Sequence, residues 1–478
     1  MSGARPEIQV RNPRSGEADY TLVPADRSAV DDACTGLRGN QGAWASAGLE
    51  HRISVLRAFA KSLEENRESL VEALVLDTGR RAISIVEVDI IAPAIERWVE
   101  IAKQLEEDPV GRSSALPFIA YTITKRPYGL VGIISPWNFP LTLSIMDALP
   151  ALLAGCAVII KPSEVTPRFA APLRRVIADT PGLGGVFTVI DGDGETGTAL
   201  VDSVDVICFT GSVPTGRAVG EQAARNFIPA FLELGGKDPA IVLDSADVER
   251  AATALLRGSI LNAGQACQSI ERIYVAKAIY EDFLARLIEK AQAVTLNWPD
   301  IGEGHLGPII FERQAAVLVK QIDDARAKGA VVHTGGEIEE HGGFWLRPTV
   351  ITGLTNDMKI MQEETFGPLL PVIPFDSVDD AVAMANDSLY GLSACVFAGT
   401  DEEAIAVGRR IEAGGISIND AALTALVYEA EKSAFKLSGM GASRMGRSGY
   451  MRFFRKQSFM VNTAEVFPID QFDEGKAE

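Results

Sequence analysis

Val204-Asp-Val-Ile-Cys-Phe-Thr-Gly-Ser-Val-Pro-Thr-Gly216 holds the plan of the chain. The apolar, β-branched run Val204 to Phe209 reads as a buried strand, and Thr210 to Gly216 reads as a glycine turn that opens a helix. A strand, a glycine turn and a helix N-terminus form an anion site, because free backbone N–H groups and the helix dipole face outward. A dinucleotide pyrophosphate fits such a site, with Gly211 and Ser212 at the turn. Alone, Gly-x-x-x-x-Gly is a weak signature, and without a Lys-Ser/Thr ending it is not a nucleoside-triphosphate loop.

The same texture extends on both sides. Leu130 to Ile134, Ala157 to Ile160 and Val186 to Ile190 are strand-like, each followed by Gly, Pro or a charged turn. Helical segments separate them, so the connections are crossovers and the sheet is parallel. A second series contains Ala240 to Leu243, Ile273 to Val275, Val331 to Val332, Leu369 to Ile373 and Ala394 to Phe397, with a helix near Asp247 to Leu261. The expected fold class is therefore α/β with two doubly wound parallel-sheet lobes that meet near Glu233 to Pro239. The first hundred or so residues read as covering helices, with Ile53, Leu56, Ala60 and Leu63 on one stripe.

At 478 residues, with 47% hydrophobic and 23% charged residues, the chain has the material for two or three lobes. A net charge of −19 argues against nucleic acid, whose affinity rests on Lys and Arg at phosphates. The five cysteines are scattered, without a CxxC pair or Cys/His cluster, which points to a reducing compartment and no metal site; Cys156 and Cys208 read as core. Leu141 to Ile160 is apolar enough to resemble a membrane span, but Asp147, Pro150 and Gly155 interrupt it, so a buried helix and strand are expected. No apolar segment follows the first residues, and a cytoplasmic location is the expectation.

Five stretches besides the glycine turn carry candidate chemistry. Cys267, in Asn262-Ala-Gly-Gln-Ala-Cys-Gln-Ser269, falls in a loop where a thiol can meet a ligand, although free cysteine more often behaves as a small buried hydrophobe. Ser135-Pro136-Trp137-Asn138-Phe139-Pro140 sets one amide among rings and prolines: a donor for developing negative charge, or a rigid turn around a satisfied Asn. Lys161-Pro162-Ser163-Glu164 ends a strand, where ligand crevices form. There Lys161 and Glu164 can reach a ribose, or else form a solvated pair. A carboxylate that accepts from both ribose hydroxyls favours NAD over NADP. Phe231-Leu-Glu-Leu-Gly-Gly-Lys237 embeds Glu233 in apolar surroundings that suit a general base, or pairs it with Lys237. Glu364 and Phe366, two apart, fall on one side of an extended segment.

In this order, Pro-Trp-Asn-Phe-Pro, Lys-Pro-Ser-Glu, Glu-Leu-Gly-Gly-Lys, Gly-Gln-x-Cys and Glu-x-Phe-Gly-Pro resemble the aldehyde dehydrogenase superfamily, of the NAD(P)-dependent, non-phosphorylating, hydrolytic type, from about Asn12 to Val461. The resemblance implies that Cys267 is the nucleophile, that Glu233 activates the deacylating water, and that Asn138 donates to the oxyanion with the Cys267 N–H. Lys161 counts among the catalytic residues and, with Ser163 and Glu164, holds the adenosine ribose. Gly211 and Ser212 lie at the pyrophosphate, Glu364 and Phe366 at the nicotinamide ribose, and Ser135, Pro136, Trp137 and Leu234 border the cofactor. No histidine lies near a motif, so activation of the thiol is expected from the cationic nicotinamide and local N–H dipoles.

The resemblance further implies an NAD-binding domain (1–112 and 128–235), a catalytic domain (236–440) and a small bridging sheet (113–127 and 450–465) that pairs subunits as a homodimer or dimer of dimers. A cysteine hydrolase would leave Lys161, Glu164 and the Gly211 turn without a role, and a coenzyme A acyl transfer has no use for Glu233. Where many relatives have a Pro-Phe-Gly-Gly-like stretch, this chain reads Ser433-Ala-Phe-Lys-Leu-Ser-Gly439. Leu143, Met146, Gln268 and Leu423 are expected along the substrate tunnel; they point to an apolar aliphatic or aromatic aldehyde and against a second carboxylate, which would want an Arg.

Overall fold

In the computed structural model, which describes residues 5–476, the quoted stretch becomes the strand Val206–Thr210 and the helix Val213–Arg225. The strand is one of the two central strands of a six-stranded sheet. Its order is Gly439–Met440, Ala230–Glu233, Val206–Thr210, Leu130–Ile134, Ala157–Lys161, Phe187–Val189. All neighbours are parallel except Gly439–Met440, which runs antiparallel to Ala230–Glu233. Helices cover both faces, which is why the central strands are uninterrupted apolar runs rather than alternating ones.

A second sheet of seven strands follows: Val331–Val332, Thr349–Thr352, Leu369–Phe375, Ile270–Ala276, Asp238–Val242, Ser393–Phe397, Gly415–Ile418. It is parallel apart from the short edge strand Val331–Val332. The helix Val248–Ile260 packs on it, capped by Asp247. The apolar stretch after Leu141 is the helix Pro140–Ala154 followed by the strand Ala157–Lys161, and no described helix is long and apolar enough to cross a membrane.

Three features depart from the sequence reading. The N-terminal region opens not with a helix but with a hairpin, Ile8–Arg11 against Ala18–Leu22, whose strands of four and five residues alternate apolar and polar over too short a span to stand out. The third sheet begins at Val110–Arg112, inside the range 1–112 assigned to the first lobe, and continues through Ile119–Pro127 and Phe454–Asn462. Gly439–Met440, inside 236–440, belongs to the first sheet instead.

That return of the chain is held by charge. Asp147, buried on the helix Pro140–Ala154, receives Arg444 Nη2 at 2.7 Å and a hydrogen bond from Arg452 Nη2, and all three side chains are buried. Burial works against the Asp147 carboxylate, but the two guanidiniums outweigh it and hold its pKa below the usual range. Removing the carboxylate strands two buried cations. Asp147→Asn is expected to cost about 3–5 kcal/mol of stability, measured by urea unfolding; a loss below about 1 kcal/mol, the range of an exposed pair, would contradict this role.

Candidate active site

Register places the strand ends of the first lobe side by side: Ile134 beside Phe209 and Lys161, and Thr210 beside Glu233. Whatever follows these residues faces one crevice, of about 870 Å³. Ser135, Pro136, Trp137 and Asn138 line it from one loop, Lys161, Ser163 and Glu164 from the next, Gly211 and Ser212 from the glycine turn, and Leu234 from the crossing point. The second lobe supplies the opposite wall with residues that precede its strands: Cys267 before Ile270–Ala276, and Glu364 and Phe366 before Leu369–Phe375.

The crevice fits a dinucleotide. Gly211 admits no side chain, since a Cβ there would lie 2.6 Å from the Phe209 ring, so the turn stays tight against the start of the helix Val213–Arg225. Lys161 is buried, not solvated: its Nζ donates to Pro162 O and Gly192 O, both at 2.9 Å, and reaches Glu164 Oε2 at 3.4 Å. Burial lowers the Lys161 pKa, with Glu164 opposing. The Glu164 side chain is 42% exposed at the strand end.

Asn138 is fixed from several sides. Its Nδ2 donates to Gln265 O at 3.0 Å, which leaves a second amide hydrogen for a ligand. Its carbonyl accepts from Arg80 Nη2 at 2.8 Å and from Asn262 Nδ2 at 3.1 Å. Arg80 is in turn paired with Glu87 at 2.8 Å, and the other Glu87 oxygen accepts the N–H groups of Leu141 and Thr142 at the start of the helix Pro140–Ala154. Asn262 and Ala263 sit at φ 58° and 53°, a left-handed turn that brings the Cys267 loop against Asn138. Asn262 and Gln265 lie within the quoted cysteine run, whereas Arg80 and Glu87 carried no local signal.

Among the described residues Cys34, Cys156, Cys208 and Cys395 are buried, and Cys267 alone is partly exposed; none is in a disulfide. Burial pushes the Cys267 thiol up to about 11, against the pull of Lys432 and Arg444. Glu233 is half-buried at its strand end, and its charge raises the pKa of both Cys267 and Arg444. Lys237 is not its partner: Lys237 Nζ, fully buried, binds Glu271 Oε2 at 3.0 Å and Thr365 Oγ1 at 2.7 Å.

The segment Glu364–Phe366 is not extended. Phe366 has φ 51°, and Glu271 holds the turn by accepting the N–H groups of Thr365 and Phe366, both at 2.7 Å. The Phe366 ring meets Trp137 edge-on at 5.2 Å. Glu364 Oε1 accepts from Gly236 N at 3.2 Å, and a Cβ on Gly235 would sit 2.4 Å from that oxygen, so the glycine pair lets the two lobes close.

Comparison with known proteins agrees with this geometry. Residues 1–459 match the family described as Aldehyde dehydrogenase family. The chain belongs to that family. It is 36% identical over 459 residues to a provisionally named succinate-semialdehyde dehydrogenase [NADP(+)] of Mycolicibacterium smegmatis, covering 95% of this chain and 88% of that one. The structure of a provisionally assigned aldehyde dehydrogenase, PutA, of Anabaena variabilis superposes with a TM-score of 0.95 at 51% identity, covering 97% of this chain and 99% of the other. A betaine aldehyde dehydrogenase of Staphylococcus aureus in complex with NAD+ does so with a TM-score of 0.89 at 30% identity, covering 97% and 93%. As a family member the protein is an aldehyde-oxidising oxidoreductase that uses NAD(P).

In this aldehyde dehydrogenase the helix Pro140–Ala154 serves two spaces. Leu143 lines the crevice of Cys267, whereas Met146 faces a second cavity of about 490 Å³ with Trp98, Ile101, Ile145 and Leu149. Arg97, Arg444 and Arg447 line that cavity too. Arg97 stacks on Tyr428 at 4.4 Å, and Arg444 is taken up by Asp147. Gln268 is hydrogen-bonded to Thr424, and Leu423 is half-buried in the adjoining turn Leu423–Ala425.

Burial, and then the charge of Glu271, pushes Glu364 up to about 8 from 4.5. The folded protein therefore binds this proton more tightly than the unfolded chain, so the contribution to stability is full below about pH 4.5 and is lost as pH rises through about 8. Glu364→Gln removes the titration, and its melting temperature is expected to fall less than the wild type's across that window. Parallel pH profiles of the two proteins would refute the assignment.

Proposed function

We propose that the protein oxidises an aldehyde to a carboxylic acid through a covalent adduct on Cys267. The observation that carries this is that Cys267, the partly exposed thiol among the described residues, lines one wall of a crevice with Glu364, faces the Asn138 amide and the Gly211 turn on the other wall, and lies within electrostatic reach of Glu233. Lys161 and Glu164 would hold the adenosine ribose, Gly211 and Ser212 the pyrophosphate, and Glu364 with Phe366 the nicotinamide ribose, beside Ser135, Pro136, Trp137, Ser163 and Leu234. A nicotinamide dinucleotide held there supplies the acceptor for the hydride that the aldehyde carbon loses.

The chain's own residues do the remainder. Cys267 adds to the carbonyl carbon, and the resulting oxyanion is held by the free amide hydrogen of Asn138 and the Cys267 N–H. The oxidised acyl group remains on sulfur as a thioester. Glu233 takes a proton from water, the hydroxide attacks the thioester, and the acid leaves. Glu164, half-exposed at the strand end and already facing Lys161, supports NAD over NADP, because a 2′-phosphate would meet its charge. The apolar lining by Trp98, Ile101, Ile145, Met146 and Leu149 supports an apolar aliphatic or aromatic aldehyde. The arginines in the same lining favour a second reading, an aldehyde with a distal carboxylate, as in the Mycolicibacterium relative's name.

The proposed domains keep three parts, with 1–112 and 128–235 for NAD, 236–440 for catalysis and 113–127 with 450–465 as the bridge, except that Val110–Arg112 goes with the bridge and Gly439–Met440 with the NAD part. Strand Phe454–Asn462 pairs on one side only and leaves Phe459, Met460 and Val461 exposed, which supports a homodimer or dimer of dimers formed through this sheet. Five free thiols support the reducing cytoplasm.

Two variants test the chemistry. Glu233→Gln is expected to give a single burst of NADH followed by turnover reduced by about a hundredfold or more; unchanged steady-state turnover removes Glu233 from the mechanism. Cys267→Ala is expected to abolish oxidation while NAD affinity, read by fluorescence titration, stays near wild type. A panel of apolar and carboxylated aldehydes, assayed with NAD and NADP, decides between the substrate classes and the cofactors.

A further inference from the structure

Lys432 carries a charge that the mechanism above leaves unused. Its Nζ is shielded from solvent and has no hydrogen-bond partner among the described residues. A buried ammonium in that condition is costly unless a negative charge comes to it. Its position is set by packing. The Lys432 N–H donates to Ser443 Oγ at 3.2 Å, and its stem crosses Gly415, where a Cβ would lie 3.0 Å from Lys432 Cδ and 2.3 Å from Thr424 Cγ2. Thr424 is hydrogen-bonded to Gln268, the neighbour of Cys267. The C-terminal segment thus packs a lysine without a hydrogen-bond partner against Gly415 and Thr424, one hydrogen bond away from the Cys267 loop.

Four charged groups act on the Cys267 sulfur: Glu233 and Asp238 against its ionisation, Lys432 and Arg444 for it, with Lys432 the stronger of the two cations. Arg444 is committed to Asp147 at 2.7 Å. Asp238 is occupied by Ser393, whose N–H it accepts at 3.1 Å, and burial pushes its carboxyl up to about 7, which reduces its charge near neutral pH. Lys432 also acts on Asp238, but with no hydrogen bond to its Nζ it is the cation placed to answer a charge on sulfur.

We propose that Lys432 is the built-in counter-charge of the Cys267 thiolate, a positioning residue that acts through the sulfur. The inference rests on Cys267 being the nucleophile. In the step it serves, the thiol proton passes to water in the crevice, the sulfur keeps the electron pair, and the ammonium keeps its three hydrogens; no bond to Lys432 forms.

The test is the pH dependence of alkylation of Cys267 by iodoacetamide, a neutral probe, in the full chain without added dinucleotide, read by mass of the Cys267 peptide. Lys432→Met and Lys432→Gln are both made, with melting temperatures to show that each folds. The expected result is about tenfold slower alkylation at neutral pH, an upward displacement of the profile by about one pH unit, and restoration by Lys432→Arg. A profile that coincides with wild type in a folded variant overturns the proposal. So does an unchanged profile with a raised KM confined to carboxylated aldehydes, which would make Lys432 a reader of substrate charge. Wild-type oxidation by Cys267→Ala would instead remove the nucleophile assignment beneath it, whatever Lys432 does.

Discussion

The site depends on opposing the carboxyl ends of one parallel sheet to the amino ends of another. Strands of the first lobe end at Ile134, Lys161, Thr210 and Glu233, and the residues just beyond them form one wall. Strands of the second lobe begin at Asp238, Ile270 and Leu369, and the residues just before them form the other. Parallel strands bring like ends together, so each sheet collects several loops at one edge, and a crevice between two such edges receives functional groups from six separate stretches of chain.

Holding those edges together requires burial of charge. Lys237 and Glu271 lie inside the interface and pin the turn of Thr365 and Phe366, while Arg80 and Glu87 hold the Asn138 loop to the start of a helix. Asp147 with Arg444 and Arg452 fastens the returning C-terminal segment. Each group has an oppositely charged partner that replaces part of the water it has lost. The same economy sets Lys432 and Glu364 apart, since one lacks a partner and the other is pushed towards its neutral form.

The strands of both sheets were legible because buried parallel strands are continuous apolar runs bounded by glycine and proline, as at Ala157 to Ile160 and Ala394 to Phe397. The hairpin Ile8–Arg11 with Ala18–Leu22 was not, because strands of four and five residues give an alternation too short to read. Of the site residues, those inside compact motifs could be read directly. Arg80, Glu87 and Glu271 could not, because a buried ion pair looks like any surface charge until its partner's position is known.

By itself the sequence determined the α/β class, the two lobes, and the thiol, amide, carboxylate and glycine-turn motifs, most of which line the crevice, since periodicity and local motif chemistry are properties of neighbouring residues. Only the tertiary structure decided which charges are paired. It gave Lys237 to Glu271 rather than Glu233, turned Phe366 into a left-handed conformation, and returned Gly439–Met440 to the first sheet. It also packed Lys432 against Gly415 and left its Nζ without a hydrogen-bond partner among the described residues. Charge pairing depends on through-space distance and on the water excluded between groups, and neither quantity is carried by the order of residues along the chain.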